Sequence, residues 1–361
     1  MKVLKIVCLS ILVCISGDLI GSEMSEKSKT IQRSFPLNTE SYAEIANKYG
    51  DIIIEHWAKD SIAFEIEIIA RSEKQWNLEE MLEKIDVDFT SSASFVLAET
   101  NWSDNVSFFT KKGYDIKQGL GSEDKIEVNY TIRLPKWLPL EISNRFGNVF
   151  IGKHEGELEV FVSYGDFRAR EIKKGKKIEV KYGKLKVKSI TYANLILGGA
   201  KSADIDEAEE LIIESSSSEI EIAEVKNLNI RSKHDEIYIE EIDELQGSFV
   251  LSDTKIQVLK NNMSTNLKMG SVRIIETDAM AEKVIVEGNK ADIFIGIPEY
   301  FDGILDLDLT NDPDSYEYPQ LDIISKGVGE DKRWRIKGKL GNGQGPLVQV
   351  VNTQGYVQIG N

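Results

Sequence analysis

Residues that could do chemistry are few in this chain. Its three histidines are His56, His154 and His234, and the last falls in a suggestive spacing. Ser217, His234 and Asp253 lie 17 and 19 residues apart, so a chain returning on itself at that interval would bring a hydroxyl, an imidazole and a carboxylate to one corner. A nucleophilic relay also needs an oxyanion hole and a strained nucleophile turn, and no Gly-x-Ser-x-Gly is present. Solvated polar corner residues account for the same three side chains. His56 and His154 occupy nearly equivalent places just after a strand, where exposed residues of a repeat are expected. Walker loops, dinucleotide fingerprints and His-Glu-x-x-His are missing from the chain.

A second candidate is a calcium loop. Asp306, Asp308, Thr310, Asp312, Asp314 and Glu317 stand at positions 1, 3, 5, 7, 9 and 12 of the oxygen-ligand spacing. The stretch lacks the glycine of position 6, carries Pro313 at position 8, and follows a strand where that motif has a helix. Calcium is therefore an alternative here, and the expectation is a chain without cofactor and without catalytic residues. Five tryptophans, Trp57, Trp76, Trp102, Trp137 and Trp334, could make a glycan surface. Their scatter along the chain favours packing instead.

The elements that must position these residues announce themselves as a repeat. Leu140-Glu-Ile-Ser-Asn-Arg-Phe-Gly-Asn-Val-Phe-Ile151 is echoed from Val160 and again from Ile178, with Gly147, Gly165 and Gly183 eighteen residues apart. The pattern of apolar alternation, polar corner and apolar alternation recurs from Leu195, Leu211, Leu228, Phe249, Leu267 and Val284. About nine such units of roughly 16 to 21 residues are the signature of a solenoid. Period-2 runs are half-buried strands, which keeps helices out of the core. Each unit has one thin apolar face and needs its neighbours to cover it. At about 4.8 Å per rung, nine rungs make a rod on the order of 40 Å long, and the handedness rule for parallel crossovers predicts a right-handed coil. Corners at Gly147, Gly165 and Gly183, with Gly50 and Gly355 in the first and last units, are expected to use glycine for positive φ. Phe146, Tyr164 and Tyr182 should then stack as an aromatic ladder on successive rungs, a packing device in the first instance and a sugar platform in the second.

The chain divides into four stretches. Residues 1–22 have the layout of a secretory signal peptide: Lys2 and Lys5, an apolar run to Ile15, then Ser16 and Gly17. Cleavage after Gly17, Gly21 or Ser22 would remove Cys8 and Cys14, both cysteines of the chain, and leave it without a thiol or disulfide. Cys14 as a lipid attachment site is the alternative, against which Val13 stands where a small residue is wanted. Residues 23–137 begin with a polar tether over 23–30 and contain one early unit, Glu44 to Ile54, then an α+β insert with a helix from Asn77 to Ile85 and an exposed loop from Asn101 to Gly121. This insert is expected to cap the open first rung, since a bare edge invites association. Residues 138–298 are the array, and 299–361 hold further strands and a last rung from Val348 to Ile359.

The net charge is −16, and loss of a leader with Lys2 and Lys5 makes it more negative still. That sign argues against a nucleic-acid partner, and the 29% of charged residues is expected to be spread evenly over solvated faces.

Ser34-Phe-Pro36, Asn47-Lys-Tyr-Gly-Asp51, Lys136-Trp-Leu-Pro-Leu-Glu141 followed by Asn144-Arg-Phe-Gly147, and Gly341-Asn-Gly343 before the last rung together resemble the bacterial adhesin-like family with β-strand repeats, formerly a domain of unknown function and related to head-domain adhesins. The resemblance covers most of the chain beyond the leader. It implies an all-β fold, a parallel β-solenoid built as a single-stranded β-helix, outside the cytoplasm and without known catalytic residues. The function expected is that of an exported, non-enzymatic adhesin-like or cell-envelope scaffold protein with a glycan or envelope-protein partner and no transmembrane span. The alternatives are a carbohydrate-active β-helix, lyase or hydrolase, and an envelope sensor with a protein ligand. Periplasmic, outer-membrane-associated and secreted locations all remain open at this point.

Overall fold

A computed structural model describes residues 24–73, 77–102, 124–310 and 317–360. The expected leader with Cys8 and Cys14, Trp76, nearly all of the loop expected over 101–121, and Asp312 and Asp314 lie outside these residues. The described chain is all-β apart from one short helix, and its twenty strands belong to one large, mostly parallel sheet.

Its body is a succession of long strands: β9 (Val149–Ser163), β10 (Phe167–Lys181), β11 (Lys184–Gly198), β12 (Ser202–Ser216), β13 (Glu219–Lys233), β14 (Glu236–Thr277) and β15 (Lys283–Ile295). Each pairs in parallel with the next. Phe167 stands between Val149 and Leu185, and Ala203 between Leu185 and Ile220, so partners are 17 or 18 residues apart. The offset explains the repeat: every turn of chain comes back onto the previous one, and period-2 alternation puts the same side chain inside each time. Val149, Phe167, Leu185, Ala203, Ile220 and Ile237 form one such buried column. Fully burying a Val, Leu or Ile contributes about 1.5–3 kcal/mol, and only the stacked neighbours complete that burial.

The N-terminal stretch stacks in an order different from its chain order. It comprises β1 (Ser25–Pro36), β2 (Tyr42–Lys48), β3 (Ile52–His56), β4 (Ser61–Ser72), α1 (Asn77–Glu83), β5 (Ile85–Ser91), β6 (Phe95–Trp102), β7 (Lys125–Leu134) and β8 (Leu140–Arg145). The early unit, β2 with β3, lies parallel to β8 and the start of β9, with Ile45 opposite Ile142 and Ile52 opposite Val149. On its other side it pairs in parallel with β6 and β7. The insert therefore supplies the strands of a further rung, which its expected α+β character concealed. Beyond that rung β4 runs antiparallel to β7, β1 antiparallel to β4, and β5 antiparallel to β6.

Two local expectations are corrected here. Residues 25–30 are not a tether but half of β1, whose twelve residues pair throughout with β4. Most of its side chains are exposed, so backbone hydrogen bonds hold it and no apolar alternation advertised it. The helix stops at Glu83, short of Ile85, which is buried at the start of β5. Leu78, Met81 and Leu82 face the core as the helical spacing required.

At the other end are β16 (Gly303–Leu309), β17 (Asp322–Val328), β18 (Trp334–Leu340), β19 (Leu347–Thr353) and β20 (Val357–Ile359). The last unit, β19 with β20, lies parallel on β15, and β16 lies parallel on the far side of β19. Antiparallel β18 and β17 follow outward from β16. β17 is exposed along its whole length. No helix among the described residues is long and apolar enough to cross a membrane.

Candidate functional site

The corners carry most of the residues singled out from the sequence. Tyr49, Phe146, Tyr164 and Tyr182 have φ of 64°, 61°, 58° and 55°, and Ser217, His234 and Leu251 continue the same left-handed position at 55°, 58° and 55°. The expected division of labour is thus reversed. The aromatic residue takes the left-handed conformation, whereas Gly50, Gly147, Gly165 and Gly183 do not. Those glycines serve close approach: a β-carbon on Gly165 would collide with the carbonyl oxygen of Gly147, one on Gly183 with that of Gly165, and one on Gly147 with that of Gly50. Gly355 combines both demands, at φ 108° and against the Ala291 carbonyl.

Behind Gly50, Gly147 and Gly165 an Asp or Asn links the rungs. Asp51 Oδ1 accepts from the Asn148 amide at 2.8 Å, Asn148 Oδ1 from the Asp166 amide at 2.9 Å, and Asp166 Oδ1 from the Lys184 amide at 3.1 Å. In the later corners this role passes to Asp235. Its carboxylate is buried and accepts from the Ser218 amide at 2.8 Å, the Ser232 hydroxyl at 2.6 Å and the Lys233 amide at 3.0 Å. The sequence did not single out Asp235 or Ser252, whose hydroxyl meets both Ser232 and the Asp235 amide. An acid inside a serine-rich corner was the available signal.

The aromatic ladder stacks face to face. Tyr49, Phe146, Tyr164 and Tyr182 are separated by 5.1, 5.1 and 5.0 Å between ring centroids, with interplanar angles of 7°, 18° and 17°. Trp102 closes the Tyr49 end edge-on at 5.7 Å, and Tyr182 lies against Gly199 at the other. Tyr164 and Tyr182 are about half exposed, at 48% and 55%. A sugar platform needs a ring face, and both faces of Phe146 and Tyr164 are taken by neighbouring rings. Lys48 over Tyr49 at 4.7 Å and Arg145 over Phe146 at 4.7 Å add cation–π contacts along the strip.

Ser217, His234 and Asp253 do not assemble. Ser217 and His234 hold equivalent corner positions on successive rungs, but that place on the next rung belongs to Leu251. Asp253 instead accepts from the Ser271 hydroxyl at 2.6 Å. Among the described residues no hydrogen bond joins any two of the three.

His56 and His154, expected to be exposed, pack on each other with Nε2 of His56 3.3 Å from Nδ1 of His154. His154 is fully buried. Burial, reinforced by His56 and opposed by backbone carbonyls of Glu157 and Leu138, pushes its pKa down to about 4. His56 is lowered for the same first reason, then by Lys136. Three carboxylates, Glu44, Glu141 and Glu159, lie in register on successive rungs. Burial raises Glu141, and the Glu44 and Glu159 charges raise it further against the pull of Lys176.

Of the calcium candidates, Asp306 and Asp308 point outward from β16 and meet cations. Arg333 and Arg335 both bind Asp308, and Lys337 stands 3.6 Å from Asp306. Thr310 Oγ1 donates to the Asn352 carbonyl and accepts from the Gln354 amide, while Glu317 bridges to Gln358. No group of acids and histidines suited to a metal ion occurs among the described residues. The described tryptophans do not share a surface. Trp102 and Trp137 pack on the core, and Trp57 and Trp334 each lie under a lysine.

What the sequence reading missed is a banded outward face. Charge is not evenly spread: residues 167–188 hold ten Lys or Arg against two acids, and residues 202–244 hold fifteen acids against three Lys or Arg. In one outward column the register runs Ile53, Phe150, Arg168, Lys186, Asp204, Glu221 and Tyr238. A shallow groove of about 440 Å³ opens over the beginning of this column, lined by Ile53, Phe150, Arg168, Arg170, Lys186 and Lys188. Another, of about 340 Å³, opens over Glu221, Tyr238, Lys255 and Arg273.

No family model and no curated protein matches the chain. Among solved structures it is similar to a putative cell adhesion protein from Clostridium sporogenes, at 9% identity and TM-score 0.20 over 92% of this chain and 99% of that one. It is similar as well to a putative adhesin from Parabacteroides merdae, at 13% identity and TM-score 0.34 over 74% and 93%. A putative lipid binding protein from Parabacteroides distasonis matches at 13% identity and TM-score 0.29 over 74% and 90%. The adhesins are of the kind that the corner motifs resemble. Likenesses this distant say nothing of a ligand.

Proposed function

We propose that the chain is an exported, non-enzymatic β-solenoid that works as an adhesin-like or scaffold protein of the bacterial envelope, binding through the outward faces of its rungs. The observation that carries this reading is the banded column from Ile53 to Tyr238, where a rigid parallel stack presents apolar, basic, acidic and aromatic residues in fixed register. Broad, shallow grooves on such a face suit a partner that lies along the stack. The coil is right-handed by the crossover rule, and the antiparallel units β4 with β1 and β18 with β17 keep other chains off its end rungs. The leader expected over residues 1–22 is the motive for export, and the corner motifs are the motive for the adhesin-like role.

The test is a binding screen of the purified chain on arrays of glycans and host-matrix proteins, run with and without EDTA. Specific, saturable binding that persists in EDTA is the expected result. A blank array together with turnover of an acidic polysaccharide would overturn the reading in favour of a carbohydrate-active β-helix.

A further inference from the structure

We propose that the banded face docks a second copy of this chain, packed face to face with its stack running in the opposite direction. This rests on the reading that the rung faces bind, and it names the partner. The basic half and the acidic half of the face are both short of partners. Among the described residues the side chains of Arg170, Lys186 and Lys188, and those of Asp206 and Glu221, make no ion pair or hydrogen bond, and Asp204 takes only the Ser202 hydroxyl. Lys186 is in register with Asp204, yet the two do not pair. Like charges also sit on adjacent rungs, Arg168 beside Lys186 and Asp204 beside Glu221. Such neighbours repel, and a stack that keeps them is poised for charge from outside.

A polyanion would answer the basic rungs and leave the acidic ones unexplained. A second copy answers both. Consider a two-fold axis lying along the strand direction between the rungs of Lys186 and Asp204. It preserves position along the strand and reverses the order of rungs. Lys186 then faces Asp204 of the second copy, Arg168 faces Glu221, and Phe150 faces Tyr238, while in the neighbouring column Lys188 faces Asp206. Symmetry repeats every pair, which is the condition for a closed isologous dimer. The two grooves flank this axis, so the one at Phe150 meets the one at Tyr238, and the two rings, with Arg168 and Lys255 beside them, close the outer ends of the contact. One contact is adverse: Asp166 faces Glu219 of the second copy, and Arg168 already neutralises Asp166 at 3.1 Å.

Sedimentation velocity of the full chain tests the proposal. A particle of twice the chain mass is expected at low salt, moving toward the single-chain mass at high salt as the charges are screened. Arg168→Glu with Lys186→Glu makes all four charges of the Arg168–Glu221 column acidic, and Asp204→Lys with Glu221→Lys makes all four basic. Each variant alone should associate at least about a hundredfold more weakly than the natural chain, with an unchanged far-ultraviolet circular dichroism spectrum. An equimolar mixture of the two should recover the double-mass particle, since acid then meets base in both halves. A natural chain of single mass at every salt concentration, or a dimer indifferent to both reversals, overturns the proposal. So does a single-mass chain captured by an anionic polysaccharide through Arg168 and Lys186, a result that would keep the face as a binding surface while removing the self-docking.

Discussion

His154 shows how a side chain expected at the surface becomes a stability determinant. Its imidazole is buried beside His56, and both pKa values lie below the ordinary one near 6.5. The unfolded chain therefore binds protons in a range where the folded chain does not. Stability is fully present above about pH 6.5 and falls as the pH drops toward 4, the value to which His154 is pushed. For a shift of that size the loss is on the order of 3 kcal/mol. Glu44 and Glu141, raised by burial, act in the opposite sense, because their neutral forms become available as the pH enters the upper carboxylate range. Urea unfolding of the natural chain should lose free energy between pH 6.5 and 4, and His154→Gln should flatten that dependence. An unchanged slope in the variant would show that carboxylates dominate it. The sequence hid this pair because His56 and His154 are 98 residues apart and meet only through the slotting of β3 beside β9.

The rung corner is the element that the sequence displayed best and explained least. Eighteen-residue spacing of Gly147, Gly165 and Gly183 located the first corners of the array. The reason for glycine was legible only in three dimensions, since a local turn rule considers one chain segment and the collision comes from the rung below. Gly165→Ala should therefore cost about 2–4 kcal/mol through displacement of stacked backbone. Gly327→Ala on exposed β17, where a β-carbon meets nothing within 4 Å, should stay within about 0.5 kcal/mol of the natural chain. Equal losses in chemical denaturation would overturn close approach as the reason for the corner glycine. The aromatic ladder was legible for the same reason as the corners, whereas β1 was not. Its polar side chains give no alternation, and its twelve pairings with β4 are long-range backbone contacts.

At the scale of the whole molecule the repeat predicted a stack of parallel strands, and the sheet is that. The order of stacking was beyond the sequence. The match between Glu44–Ile54 and Glu141–Ile151 showed that the two units are alike, and their being neighbours follows only once β6 and β7 are seen to add a rung on the far side. The charge bands, by contrast, stood in the sequence and were averaged away by an overall composition. Ten cations in residues 167–188 are plain when the count follows the rung.

The parallel register also sets how the molecule carries load. Hydrogen bonds between rungs run along the stack, and β1 and β20 belong to opposite ends of it. Tension applied between these ends loads the rungs in series, so they separate singly, by peeling, and never all together by shear. Each freed turn of 17 or 18 residues lengthens the chain by about 60 Å, against roughly 4.8 Å of stack that is lost. In single-molecule pulling this should appear as a train of small, evenly spaced releases, and one large rip would contradict it. A stack that opens this way yields gradually, by extension, instead of failing at one load.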